Sequence, residues 1–139
     1  SANDRALVVD VGFRVNQVLA MDLFSGTRTV FSNSEIPDSS NPFNFPAAIA
    51  LDSTNNRALV VDSIPVYGID SSSITAVDLE SGARTILSDE TMPDGNNLLA
   101  TAVGIALDGA RNRALVVDRQ LKAVIAVELT SGERVIVSK

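Results

Sequence analysis

The stretch Arg57-Ala58-Leu59-Val60-Val61-Asp62 decides the fold, because the chain writes the same six residues, RALVVD, at Arg5–Asp10 and again at Arg113–Asp118. An internal repeat of roughly 50 residues is the mark of an array of like units, and it takes precedence over any local reading. Working outward from the hexapeptide, further elements align. Val18–Leu23, Ile74–Leu79 and Val124–Leu129 form a second set, each followed by Ser-Gly. Arg28–Ser32, Arg84–Ser88 and Arg134–Ser138 form a third. A fourth occurs twice, as Ala48–Asp52 and Gly104–Asp108, and runs directly into the next hexapeptide.

Each element is four to seven residues long, rich in Val, Ile, Leu and Thr, and bounded by Gly, Asn, Asp or Ser. That composition predicts short strands, and no helical period is sustained. Asp52–Asn56, Asp108–Asn112 and the Leu-x-Ser-Gly segments read as tight turns, the last with glycine free to take a positive φ. The unit is therefore four antiparallel strands, A (Ile-Ala-Leu-Asp), B (the hexapeptide), C and D. Strand B shows almost no polar alternation, as expected of a strand covered on both faces. Repeated four-stranded units of this length predict an all-β chain of β-propeller blades.

The whole stretch "AIALDSTNNRALVVD…ITAVDLESGARTILS" resembles the repeat of six-bladed propellers of the YWTD, NHL and SMP-30/gluconolactonase-like groups. It departs from YWTD in having Leu-Val-Val-Asp where that group carries an aromatic pair. The resemblance implies about three blades, half of a six-bladed ring. The expected partial propeller spans 1–139, with strands B–D of a first blade in 1–32, a second blade in 46–88 and a third in 102–139. Eleven strands, B-C-D followed by two sets of A-B-C-D, do not close a ring, since propellers usually have four to eight blades. Open blade ends would expose apolar faces. The expected partners are thus the remaining blades of a longer chain or a second copy.

Composition narrows the function. The 139 residues include no Cys and no His, which excludes thiolate or imidazole zinc sites, Cys nucleophiles and His-dependent triads within them. A net charge of −6 argues against nucleic acid as a partner. No apolar run approaches the roughly 20 residues of a membrane span. The opening Ser1-Ala2-Asn3-Asp4 does not read as a signal peptide. The residues fix no compartment; the resemblance suggests a periplasmic or secreted one.

Residues identical in every repeat read as architecture. Asp10, Asp62 and Asp118 at the end of strand B are expected to accept backbone N–H groups. Asp52 and Asp108, and Arg5, Arg57 and Arg113, fall in the same class, the arginines pairing with carboxylates or capping carbonyls. Differences between repeats point to function instead. The B–C connections (Val11–Gln17, Ser63–Ser73, Arg119–Ala123) and the long D–A connections (Asn33–Ala47, Asp89–Val103) vary, and by topology both emerge on the face where strand A begins. Loops on a rigid scaffold are where binding residues usually sit. The candidates on this face are Asn41, Phe43, Asn44, Phe45, Tyr67, Asp70, Asn96 and Asn97, for a protein or small-molecule ligand.

Glu35, Asp38 and Asp94, with Glu90 and Asn44 nearby in sequence, are oxygen ligands of the kind Ca²⁺ prefers, without an EF-hand spacing. The favoured reading is a non-catalytic binding or structural scaffold with no cofactor. The alternative is part of a divalent-metal-dependent lactonase-like hydrolase, with Ca²⁺ as Lewis acid. Pro46-Ala47-Ala48 and Ala102-Val103-Gly104, small and apolar where strand A begins, weigh against a catalytic axis.

Overall fold

In a computed structural model, residues 4–66 and 69–139 are described, with Ile64–Val66, Ile69 and Asp70 described by backbone pairing alone. Eleven strands form three antiparallel sheets. The first holds β1 (Arg5–Gly12), β2 (Val15–Asp22) and β3 (Arg28–Ser32). The second holds β4 (Pro46–Asp52), β5 (Arg57–Val66), β6 (Ile69–Asp78) and β7 (Arg84–Ser88) in that spatial order. The third repeats this order with β8 (Ala102–Asp108), β9 (Arg113–Asp118), β10 (Ala123–Glu128) and β11 (Arg134–Ser138). These are propeller-like blades, two complete and one lacking strand A. The inner strands β4 and β8 lie side by side, and β1 approaches β4.

The turns follow from their residues. After β4 and β8 the chain makes one 3-10 turn, closed by Asn56 at φ 51° and Asn112 at φ 50°. Asparagine tolerates this left-handed conformation because its short amide bonds locally. The turns between strands C and D place Gly26, Gly82 and Gly132 at φ 72°, 74° and 76°. Each is capped by the acid that ends strand C. Asp78 Oδ1, for example, accepts the Glu80 and Ser81 N–H groups and the Ser81 hydroxyl.

Two connections expected as loops are strands. Val11–Gln17 is nearly all β1 and β2, with only Phe13-Arg14 between them. Ser63–Ser73 extends the β5–β6 hairpin, pairing Ser63 with Ser72 and Val66 with Ile69. The variation of this segment between repeats is what suggests a loop. In place, Ser72 is 2% exposed, and its hydroxyl donates to the Ala100 carbonyl and accepts the Ala102 N–H, both at 3.0 Å. The serine satisfies the backbone of the neighbouring blade where β8 begins, a need that an apolar residue could not meet.

The core lies between sheets, not within any one of them. Ala58 and Val60 pack with Val18, Phe43, Leu7 and Val9 on one side of the second sheet. Leu59 and Val61 pack with Ile74, Ala114, Val116 and Ile125 on the other. All four central hexapeptide residues of β5 are fully buried. The same hexapeptide in the flanking sheets leaves Val8 42% and Val117 48% exposed. Identical residues thus experience a full core, or half of one, according to whether a neighbour is present.

Truncating the same repeat position should therefore cost different amounts. Leu59→Ala is expected to lose about 2–5 kcal/mol and Leu115→Ala less than half of that. Chemical denaturation of the two variants, read at equal slope, measures the difference.

Candidate functional site

The hairpins joining strands B and C and the starts of strands A share one end of the assembly. Between the second and third sheets this end opens into a cleft of about 700 Å³, lined by Phe45, Ala47, Ser63, Ser71, Ala100–Val103, Arg119, Gln120 and Lys122. Its lining combines apolar side chains, Phe45, Ala47 and Val103, with hydroxyls and two cations. Arg119 and Lys122 are exposed and make no ion pair among the described residues. Most other arginines are engaged internally, so this pair is a positive spot on an acidic chain.

The strand-B aspartates hold the lining in place. The Asp62 carboxylate, 2% exposed, accepts the Asn44 N–H at 2.9 Å and the Phe45 N–H at 2.7 Å. Asp118 accepts the Ala100 N–H at 2.7 Å and the Leu121 N–H at 2.9 Å. Burial pushes the Asp62 carboxyl above its ordinary value, against the downward pull of the Asn44 and Phe45 bonds. Asp78 is held below its usual value by the Ser81 N–H and hydroxyl. Asp10 instead accepts from the Gln17 side chain. Asp52 and Asp108 each take the Nε of the arginine opening strand B, Arg57 and Arg113, at 2.8 Å. Arg5 donates to the Leu79 carbonyl at 2.8 Å and lies over the Phe31 ring.

Of the residues expected on the varied face, Phe45 lines the cleft, and Asn44 stands beside it on Asp62. Phe43 is buried between the first two sheets. The backbone of Asp70 pairs with Pro65, while Tyr67 lies outside the described residues.

The D–A loops correct the expectation that they stay on that face. Each crosses the beginning of the next outer strand, at the opposite end of the sheet, and wraps a buried guanidinium there. Arg84, 3% exposed, donates to the carbonyls of Ile36, Asp38, Ser40 and Asn41 and to the Ser32 hydroxyl. Arg134, 5% exposed, holds the carbonyls of Asp89, Met92, Asp94 and Asn96 and the Ser88 hydroxyl. Asn41 and Asn97 return bonds to the Arg84 and Arg134 carbonyls at 3.0 and 2.8 Å. Five N–H donors in a fixed fork need acceptors once buried, and a loop of converging carbonyls supplies them. Asn41, Asn96 and Asn97 thus belong to these clamps, away from the cleft.

Glu35, Asp38 and Asp94 are not brought together. Asp38 and Asp94 lie in different loops, 3.9 and 3.8 Å from Arg84 and Arg134 respectively. Among the described residues no three acidic side chains group as a metal site would require.

Sequence reasoning missed both clamps and the cleft cations. The two D–A loops are in fact a further repeat. Pro37-Asp38 and Asn41 match Pro93-Asp94 and Asn97 in spacing, and each loop is followed by the arginine opening the next strand D. Counted from the arginines that open the preceding strands D, Arg28 and Arg84, the two loops are in register, and their shared Pro-Asp step is the visible trace of it.

Comparison with known proteins fits this architecture. No protein-family model matches the chain. No curated protein matches it either. Among solved structures, a chain from a crystal structure of a nidogen/laminin complex superposes with a TM-score of 0.68 at 18% identity. The match covers 95% of this chain and 43% of that one, so the 139 residues span less than half of the matched chain. The likeness shows a β-propeller-like fold.

Two outcomes follow. Arg84→Ala should destabilise by at least ~3 kcal/mol, since it strands several buried carbonyls, and Arg84→Lys should recover little because an ammonium lacks the fork. Denaturation midpoints test both. In a carboxyl NMR titration, Asp62 should titrate above Asp78. As its folded pKa is raised, Asp62 contributes stability below its unfolded pKa that is lost as pH rises through the folded value. Asp78 has the opposite sign: its contribution, present above its unfolded pKa, is lost as pH falls through its lowered folded value.

Proposed function

We propose that the protein is a non-catalytic binding module built on a six-bladed propeller of the kind found in the YWTD, NHL and SMP-30/gluconolactonase-like groups. Its ligand is an acidic segment of a protein partner, seated in the cleft between the second and third sheets. The observation that carries this reading is the presence of Arg119 and Lys122, without internal carboxylates among the described residues, in one cleft with the apolar Phe45, Ala47 and Val103. Phe45 supplies a half-exposed aromatic anchor beside the cations, the combination typical of binding hot spots. The lining is rigid because Asp62 and Asp118 fix the backbone on either side of it. The solved structure it resembles comes from a complex of two proteins, which is compatible with a protein partner.

The test is titration of a fluorescent Glu-rich peptide carrying one aromatic residue, beside its Gln analogue. Saturable binding of the acidic peptide is expected, weakening with salt and at least about tenfold weaker to an Arg119→Glu/Lys122→Glu variant. Both positions are exposed, so the variant should keep its denaturation midpoint. Equal binding of the two peptides, or no effect of the charge reversal, would sink the reading.

A further inference from the structure

The repeat allows each residue of the first sheet to be compared with its counterparts in the other two, which have a preceding sheet. Several positions differ, all on one side. Arg84 and Arg134 are buried in loop carbonyls, whereas Arg28, in the same place at the start of β3, is exposed and has no hydrogen bond or ion pair among the described residues. A Cβ on Gly82 or Gly132 would overlap the carbonyl oxygen of Phe31 or Leu87 of the preceding sheet; one on Gly26 would meet nothing within 4 Å. Arg57 and Arg113 hold Asp52 and Asp108, while Arg5 has no carboxylate among the described residues. Asp62 and Asp118 accept backbone N–H groups leading into β4 and β8, while among the described residues Asp10 accepts only from Gln17. Finally, β5 and β9 are paired on both edges, and β1 on one. The open edge of β1 and the inner strand β4 bound a groove of about 900 Å³ lined by Arg5, Ala6, Leu7, Ile49, Leu51 and Leu79.

These differences are the imprint of a single object. In the second and third sheets the corresponding contacts all come from one continuous stretch: an outer strand ending in Ser, a Pro-Asp loop and an inner strand ending in Asp. That stretch is Arg28–Asp52 for the second sheet and Arg84–Asp108 for the third. We propose that the first sheet is an acceptor for a third stretch of this chemistry. Its loop carbonyls wrap Arg28 and its inner strand adds to β1 antiparallel. The register is set by two existing examples, Pro46 and Asp52 opposite Asp62 and Arg57, and Ala102 and Asp108 opposite Asp118 and Arg113. The incoming aspartate therefore meets Arg5, and the backbone N–H groups ahead of the strand meet Asp10. Main-chain pairing supplies affinity and the two charged ends supply register, as in other strand-addition sites.

A second folded copy does not fit this description. Its β11 ends in Ser138, the counterpart of Ser32 and Ser88, and could reach Arg28, but both of its loops and inner strands are already held at Arg84 and Arg134, so a head-to-tail contact would supply neither the loop carbonyls around Arg28 nor a strand for the β1 edge. The occupant is a third linking stretch, carried on polypeptide other than these 139 residues.

The probe is a synthetic peptide with the sequence of Ser88–Asp108, labelled at its N-terminus and titrated into the 139-residue protein. One-to-one saturable binding is expected, weakened at least about tenfold by Arg28→Ala in the protein and by Asp108→Ala in the peptide. The peptide change needs no altered protein, so misfolding cannot mimic the result. Binding of a scrambled peptide with equal strength would overturn the proposal. So would absence of binding, or a homodimer by sedimentation that resists the peptide and is indifferent to Arg28→Ala.

Discussion

A four-stranded sheet whose strands are apolar on both faces has no inside of its own. Its core exists only when another sheet lies against each face, and this constraint governs the rest of the molecule. In the second sheet, β5 buries Ala58 and Val60 toward one neighbour and Leu59 and Val61 toward the other. The flanking sheets have one neighbour each, and Val8, Val30, Val117 and Val135 remain exposed on their outer faces. Stability is then a sum of interfaces between sheets more than a property of any sheet, as in other repeat architectures. The loops obey the same logic. Each D–A connection carries its backbone carbonyls to the buried arginine of the next sheet, so covalent continuity and packing reinforce one another at the same boundary.

The strands and tight turns were legible because their signals are local. Val-, Ile- and Leu-rich runs, Asn at the left-handed turn position and Gly before strand D each state their conformation in one or two residues. The third set of strands matched residue for residue at Arg28–Ser32, Arg84–Ser88 and Arg134–Ser138. The arginine clamps were not legible, because their acceptors are main-chain carbonyls, which leave no trace in side-chain identity. The extended β5–β6 hairpin was read as a loop because its length and content differ from the other repeats, and its Ser72 hydroxyl answers to the backbone of the next blade. The cleft draws on hairpin and loop residues far apart in the chain, Phe45 and Ser63 with Arg119 and Lys122. Conversely, the carboxylates near one another in sequence, Glu35 with Asp38 and Glu90 with Asp94, gather no third acidic partner among the described residues.

The arginines also change how the charge of the chain should be understood. Arg57, Arg84, Arg113 and Arg134 are committed to carboxylates or carbonyls inside the structure. The buried charges nearly cancel, Asp52, Asp62 and Asp118 against Arg84 and Arg134, so the exposed groups keep the acidic balance of the chain. Against that background two uncommitted cations at one cleft form a distinct local field, and a carboxylate ligand is steered to that spot more than to any other on the same end.

The overlong hairpin of the second sheet has a consequence for symmetry. The β5 and β6 strands span ten residues each, where β9 and β10 span six. A ring of equal blades offers a partner several equivalent angular settings, and nothing in the repeat tells one from the next. One protruding hairpin breaks that degeneracy. It works as an index mark on a dial: a partner touching it would be held at one angular setting relative to the three sheets.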